Sequence, residues 1–169
     1  MWTLMKQLNL IKSKIFTPEA LGIQIKKWRL SGETIVFTNG CFDLIHLGHI
    51  DYLARAKDLG GKLIVGLNSD RSVSKLKGSK RPIQNQESRS TLLASMQFID
   101  ALVLFNDETP IQLINSISPD ILVKGGDYII KEIVGHDWVT RSGGEVVTLK
   151  FVSGHSSSKI IEQIIKTNG

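Results

Sequence analysis

Two patterns of apolar and polar positions alternate along the 169-residue chain. Short, continuous apolar runs recur at Thr34-Ile35-Val36-Phe37, Lys62 to Leu67, Ala101 to Phe105, Ile121-Leu122-Val123 and Glu145 to Leu149. They are rich in β-branched residues, the pattern of strands covered on both faces in a parallel sheet. Between them lie segments with apolar residues at helical spacing. Thr17-Pro18-Glu19 has the form of an N-cap, a first-turn proline and an early acid, and it opens a helix with Leu21, Ile25 and Trp28 on one side. Ile50 to Leu59 reads as a second helix, stopped by Gly60-Gly61. Further helices are predicted from about Arg71, from Glu87 to Phe98, from Thr109-Pro110 to Ile117, from about Lys131 to Arg141, and from Lys159 to Lys166. Strands and helices in alternation with short connections predict an α/β fold, a doubly wound five-stranded parallel sheet of Rossmann-like type. The pattern does not yield the strand order. It divides the chain into an N-terminal leader and helix over residues 1–32 and the main domain over residues 33–169.

Composition narrows the class of partner. No apolar run reaches the roughly 18 residues a membrane span needs, and Met1 to Lys6 lacks the form of a secretory signal. Neither a membrane nor a secreted location is therefore expected. The single cysteine, Cys41, makes no internal disulfide, which fits a reducing cytoplasm. Net charge is +5 and unevenly placed: residues 71–89 hold Arg71, Lys75, Lys77, Lys80, Arg81 and Arg89 against Glu87 alone. Such a cluster attracts nucleic acid, acidic lipid or a polyphosphate. It has no interleaved aromatic residues, which argues against nucleic acid as the partner and leaves a triphosphate as the better match.

The candidate chemistry gathers where the first strand turns into the helix that follows it. There His46-Leu47-Gly48-His49 sets two imidazoles about one glycine. Ligands of open α/β sheets bind beyond the carboxyl ends of the strands, and helix N-termini favour anions, so the pair points to a phosphate site. A capping or surface role is the alternative for either histidine alone. Ser156-Ser157-Ser158 opens the last helix, where hydroxyls and free backbone N–H groups suit outer phosphates; a plain N-cap is the other reading, and His155 just before them is ambiguous. Lys124-Gly125-Gly126-Asp127 ends the fourth strand, where small residues would admit a base or ribose and Asp127 would anchor it, or would merely form a turn. The first turn lacks Gly-x-Gly-x-x-Gly, which removes a dehydrogenase, and two histidines without carboxylate or thiolate neighbours make a poor metal site. No metal ligation by protein side chains is expected.

The string from Cys41 to His49 resembles the signature of the nucleotidyltransferases built around a His-x-Gly-His motif. With Val123-Lys124-Gly125-Gly126-Asp127-Tyr128, it looks most like the adenylyltransferases that make ADP-heptose. The resemblance covers roughly residues 30 to 165 and implies the strand order 3-2-1-4-5. It implies transfer of AMP from ATP to D-glycero-D-manno-heptose 1-phosphate, giving ADP-heptose and pyrophosphate for lipopolysaccharide core synthesis. Mg²⁺ would be bound through the ATP phosphates, and a separate sugar kinase would act upstream. Analogy allows a homodimer. By the same resemblance His46, His49, Lys75 and Lys77 are catalytic, the lysines closing on substrate from a mobile loop. Thr38, Asn39, Gly40, Cys41, Phe42, Asp43, Gly48, Lys124, Gly125, Gly126, Asp127, Ser156, Ser157 and Ser158 bind the nucleotide. Asp43, Arg89 and Asp127 are candidate substrate contacts. Cytidylyltransferases of glycerol phosphate carry an arginine before their Ser/Thr run; Phe151 to His155 contains none. A cytidylyltransferase of an alcohol phosphate and a non-catalytic nucleotide- or RNA-binding module remain the alternatives.

Overall fold

The computed structural model describes residues 6–152 and 154–168. In chain order the elements are α1 (Lys6–Lys12), β1 (Ile15–Phe16), α2 (Pro18–Leu30), β2 (Ile35–Gly40), α3 (Leu47–Asp58), β3 (Lys62–Asn68), α4 (Asp70–Lys77) and α5 (Gln86–Ala94). There follow β4 (Ala101–Phe105), α6 (Ile111–Ile117), β5 (Ile121–Gly125), a 3-10 turn (Ile130–Glu132), α7 (His136–Arg141), β6 (Glu145–Leu149) and α8 (Ser157–Asn168).

All strand pairings are parallel, and the sheet order is β1-β4-β3-β2-β5-β6. Without β1 this is the expected 3-2-1-4-5 order. The sheet has six strands rather than five because Ile15 and Phe16, in the leader, pair with Leu102 and Val103 at the edge. The leader is thus part of the sheet. The predicted helix from Lys131 to Arg141 is split into the 3-10 turn and α7, with Gly135 in a left-handed conformation between them. The helix predicted to run to Phe98 ends at Ala94.

Alternation along the strands builds two apolar layers. Ile35 and Phe37 face one layer with Leu21 and Ile25 of α2, Ile114 of α6 and Val139 of α7. Val36 faces the other, with Tyr52 and Leu53 of α3 and Leu93 of α5. Burial on both faces explains the uninterrupted apolar runs. Thr17 caps α2 as its sequence requires, its hydroxyl accepting from the N–H of Ala20 at 3.3 Å.

The register positions the site. β2 pairs with β3 from Ile35↔Lys62 to Gly40↔Leu67, but with β5 only through Val36↔Ile121 and Phe37↔Leu122. Beyond Phe37 the central strands part, and β5 continues beside β6 to Gly125↔Leu149. Tyr52 bridges the opening: its hydroxyl donates to the carbonyl of Val123 at 3.2 Å and accepts from Thr38 Oγ1 at 2.6 Å. Burial pushes this phenol up to about 12, so it stays protonated in that role. A crevice where adjacent strands lead to opposite sides is the usual ligand position in such sheets.

Candidate active site

Two adjoining cavities, of about 270 and 530 Å³, open at this parting of the strands. Together they fall in the size range of small-molecule sites, roughly 300–1,000 Å³. His49, Lys77, Phe151 and Ser157 line both and form the passage between them. The first cavity is walled by Asn39 to Asp43 from the end of β2 and by Lys124 and Gly125 from the end of β5. Tyr52 and Tyr128 complete it. The second is walled by His46, Arg81, His155 and Ser156 to Ser158. The imidazole pair and the serine run, more than a hundred residues apart in sequence, therefore share one chamber.

Local structure explains the histidines. His46 occupies the N-cap position of α3, but its side chain makes no capping hydrogen bond; the helix start is closed instead by the His49 N–H donating to the His46 carbonyl at 2.9 Å. The two rings stack, with centroids 3.8 Å apart and planes inclined by 21°. Phe42 meets His49 edge-on at 5.2 Å, and reaches that position with a φ of 45°, a left-handed conformation uncommon for a bulky residue. Gly48 eases a close approach: a Cβ there would lie 3.1 Å from Nδ1 and Cε1 of the His46 ring, which would have to give by a few tenths of an ångström. Both Nδ1 atoms are buried without a hydrogen-bond partner among the described residues. A buried polar atom left so costs about 1–3 kcal/mol, which a ligand could recover.

Burial and neighbouring cations set the electrostatics of the chambers. Burial, the His46 ring and Lys77 lower the pKa of His49 to about 4, against a slight opposing effect of the Leu44 backbone. Burial and His155 lower His46 as well. Burial also lowers Lys124. It pushes the Cys41 thiol up despite Lys77, Arg89 and Lys124, so Cys41 is not a thiolate nucleophile at neutral pH. A bound polyphosphate would reverse the penalties on these cations. The pH dependence of the ligand-free protein follows. An unfolded His49 binds its proton near 6.5 and the folded one only near 4, so in between the unfolded chain holds more protons. Stability is then expected to fall as pH drops from 6.5 toward 4, with no contribution from this group above 6.5. Thermal melts across that window check it: the wild type should lose Tm more steeply than His49→Gln.

Ser156 and Ser157 play different structural parts. The Ser156 hydroxyl accepts from the N–H of Lys159 at 3.2 Å, an N-cap bond. Ser157 donates to the Leu44 carbonyl at 3.2 Å and pins α8 against the turn after β2. A Cβ at Gly125 would overlap the half-exposed Phe151 ring, which would have to move to admit it.

Other expected residues are placed differently. Thr38 is buried beneath the cavities, bonded to Tyr52. Lys75 faces Glu108 at 3.4 Å rather than either chamber. Gly126 adopts a φ of 116°, and Asp127 beyond it is exposed and off the cavity walls. Arg89 is fully buried and lines neither cavity. It donates to the carbonyls of Cys41, Asn68 and Gln84 and to Asp70, holding the walls together from behind. Asp43 does reach the first cavity, but its side chain is 0% exposed and accepts from Arg81 and from the N–H groups of Ile83 and Gln84. Arg81, named only within the basic cluster, Tyr128, named only as the end of the Val123-to-Tyr128 string, and Phe151 also line the chambers, though none was a candidate site residue. Only the lack of an arginine around position 151 pointed toward that wall. No group of three or more His, Cys, Asp or Glu side chains among the described residues could hold a metal ion. No described helix is long and apolar enough to cross a membrane.

With this geometry in hand, comparison with known proteins is informative. Residues 37–163 match the cytidylyltransferase-like family. The chain is 48% identical over 155 residues to the bifunctional protein HldE of Citrifermentans bemidjiense, covering 92% of this chain and 32% of that protein. It is 50% identical over 149 residues to the bifunctional protein HldE of Marinomonas sp. strain MWYL1, covering 88% and 31%. The chain thus spans about a third of the length of the curated relatives it matches. Among solved structures, the lipopolysaccharide core biosynthesis protein from Thermoplasma volcanium GSS1 is 28% identical with a TM-score of 0.58, covering 72% of this chain and 98% of that one.

Proposed function

The chain belongs to the cytidylyltransferase-like family, and from that premise we propose that it transfers AMP from ATP to a heptose 1-phosphate, releasing pyrophosphate. The single observation that carries this reading is the chamber in which His46, His49 and Lys77 face Ser156 to Ser158. An oxygen of the sugar phosphate attacks the α-phosphorus of ATP. The bond from that phosphorus to the bridging oxygen breaks, and pyrophosphate leaves with the electron pair. A phosphate monoester is largely dianionic near neutral pH, its second pKa being about 6, so no general base is needed. The work of the site is to align two anions and stabilise charge on the transferring group and on the leaving group. His46 and His49 supply donors there. Lys77, at the passage between the cavities, is placed to touch both reactants, and the α8 start receives the outer phosphates.

Mg²⁺ would enter on the phosphates of ATP and neutralise part of their charge; the donors facing the second chamber are imidazole, ammonium, guanidinium and hydroxyl groups, suited to anions. The base and ribose would lie in the first cavity, beside the small residues at the end of β5 and the ring of Phe151, and the likeness to HldE proteins supports ATP as the donor. A heptose 1-phosphate acceptor implies a sugar kinase acting one step earlier. A cytoplasmic location and a homodimer fit this reading.

The test is pyrophosphate release with ATP or CTP, Mg²⁺ and candidate phosphorylated sugars. Turnover is expected only with ATP and D-glycero-D-manno-heptose 1-phosphate, with no product from CTP and glycerol phosphate. Turnover confined to CTP and an alcohol phosphate would overturn the assignment. Nucleotide binding without turnover on any acceptor would point instead to a binding module.

A further inference from the structure

Arg81 is built differently from the other basic residues of its segment. We propose that it is a phosphate-binding residue of the second cavity, held in fixed orientation by the buried carboxylate of Asp43. This deepens the nucleotidyl-transfer reading above and rests on it. Residues 78–84 carry no helix or strand, yet they are tied down. The Arg81 N–H donates to the Gly78 carbonyl at 3.0 Å, and the N–H groups of Ile83 and Gln84 donate to Asp43 Oδ1 at 2.8 and 3.0 Å. The other Asp43 oxygen accepts from Arg81 Nη1 at 2.5 Å. Asp43 thus spans from the turn after β2 to a segment some forty residues later.

The guanidinium is left with work to do. Its side chain is 18% exposed, and it lines the chamber shared by His46, His49 and Lys77. It has five N–H donors in a planar fork; among the described residues only Asp43 accepts from it. Arg89, by contrast, has four hydrogen bonds to its surroundings and no cavity face. A fork with one prong fixed by a carboxylate and the rest facing a cationic chamber fits a phosphoryl group, which guanidinium binds in bidentate fashion. Lys80, next to it, is exposed and lines neither cavity. The phosphate could belong to the triphosphate tail or to the acceptor, and experiment separates the two.

Calorimetry with ATP, AMP and inorganic tripolyphosphate, together with KM for the sugar 1-phosphate, tests the assignment on Arg81→Ala, Arg81→Lys, Asp43→Asn and Lys80→Ala. If the tail is bound, Arg81→Ala weakens ATP and tripolyphosphate at least tenfold and leaves AMP unchanged. If the acceptor phosphate is bound, it raises that KM at least tenfold and leaves ATP affinity unchanged. Arg81→Lys should recover part of either loss. Asp43→Asn, which keeps an oxygen for Ile83 and Gln84, should show the same selectivity in weaker form, and Lys80→Ala should match the wild type. Values within twofold of wild type in both arms would overturn the proposal, as would an equal loss of AMP and ATP. A wild type that binds tripolyphosphate through Arg81 but turns over no sugar phosphate would refute the nucleotidyl-transfer reading and leave this assignment standing.

Discussion

Replacing His49 or His46 with alanine is expected to lower kcat by roughly 10²–10³-fold, the usual loss when a donor to a developing oxyanion is removed. Stability should hardly suffer. Neither Nδ1 has a hydrogen-bond partner among the described residues, and His46 does not cap its helix, so the fold depends little on these polar groups. The rings stack on each other and share one chamber, so the double variant should lose far less than the product of the single losses. Pyrophosphate release under saturating substrates, with thermal melts of the same samples, measures both quantities. Single variants that keep wild-type kcat, or whose activity falls only in step with unfolding, would remove the histidines from the mechanism.

The largest stability effect is expected at Arg89. Its side chain is 0% exposed and joins Cys41 after β2, Asn68 at the end of β3, Asp70 at the start of α4 and Gln84 before α5. Asp70 is 39% exposed and would be rehydrated, but the three carbonyls would lose their buried donor, at about 1–3 kcal/mol for each group left unsatisfied. Arg89→Ala should therefore lose about 4 kcal/mol in urea unfolding, or roughly 10 °C in Tm for a domain of this size. Arg89→Lys should also be poor, since a single ammonium cannot reach four acceptors set around a planar fork. A loss below about 1 kcal/mol in the alanine variant would mean that these bonds are readily replaced by water.

Arg89 also shows where sequence reading runs out. The strands and helices were legible because burial on both faces leaves continuous apolar runs, and the His-x-Gly-His and Ser-Ser-Ser strings fell at element boundaries where ligands bind. Which basic residues face the ligand was not legible. Lys75 and Lys77 lie two apart on α4, so a helix turns them to different sides: Lys77 to the cavities and Lys75 to Glu108. Arg81 and Arg89 are equally basic in sequence. Only the fold, by bringing Asp43 across to residues 81–84, directs one to the chamber and seals the other in the wall. Ile15–Phe16 escaped notice for a simpler reason, since two residues carry no periodicity.

That short strand separates two notions of a module. The family-wide match begins at Phe37, yet the Lys14 carbonyl and Ile15–Phe16 cover the flank of β4, and Leu21 and Ile25 fill the layer beneath β2. A piece cut at Phe37 would leave β4 with a raw, adhesive margin and a hollow under its central strand. The stretch that the family model covers is shorter than the one around which this fold packs.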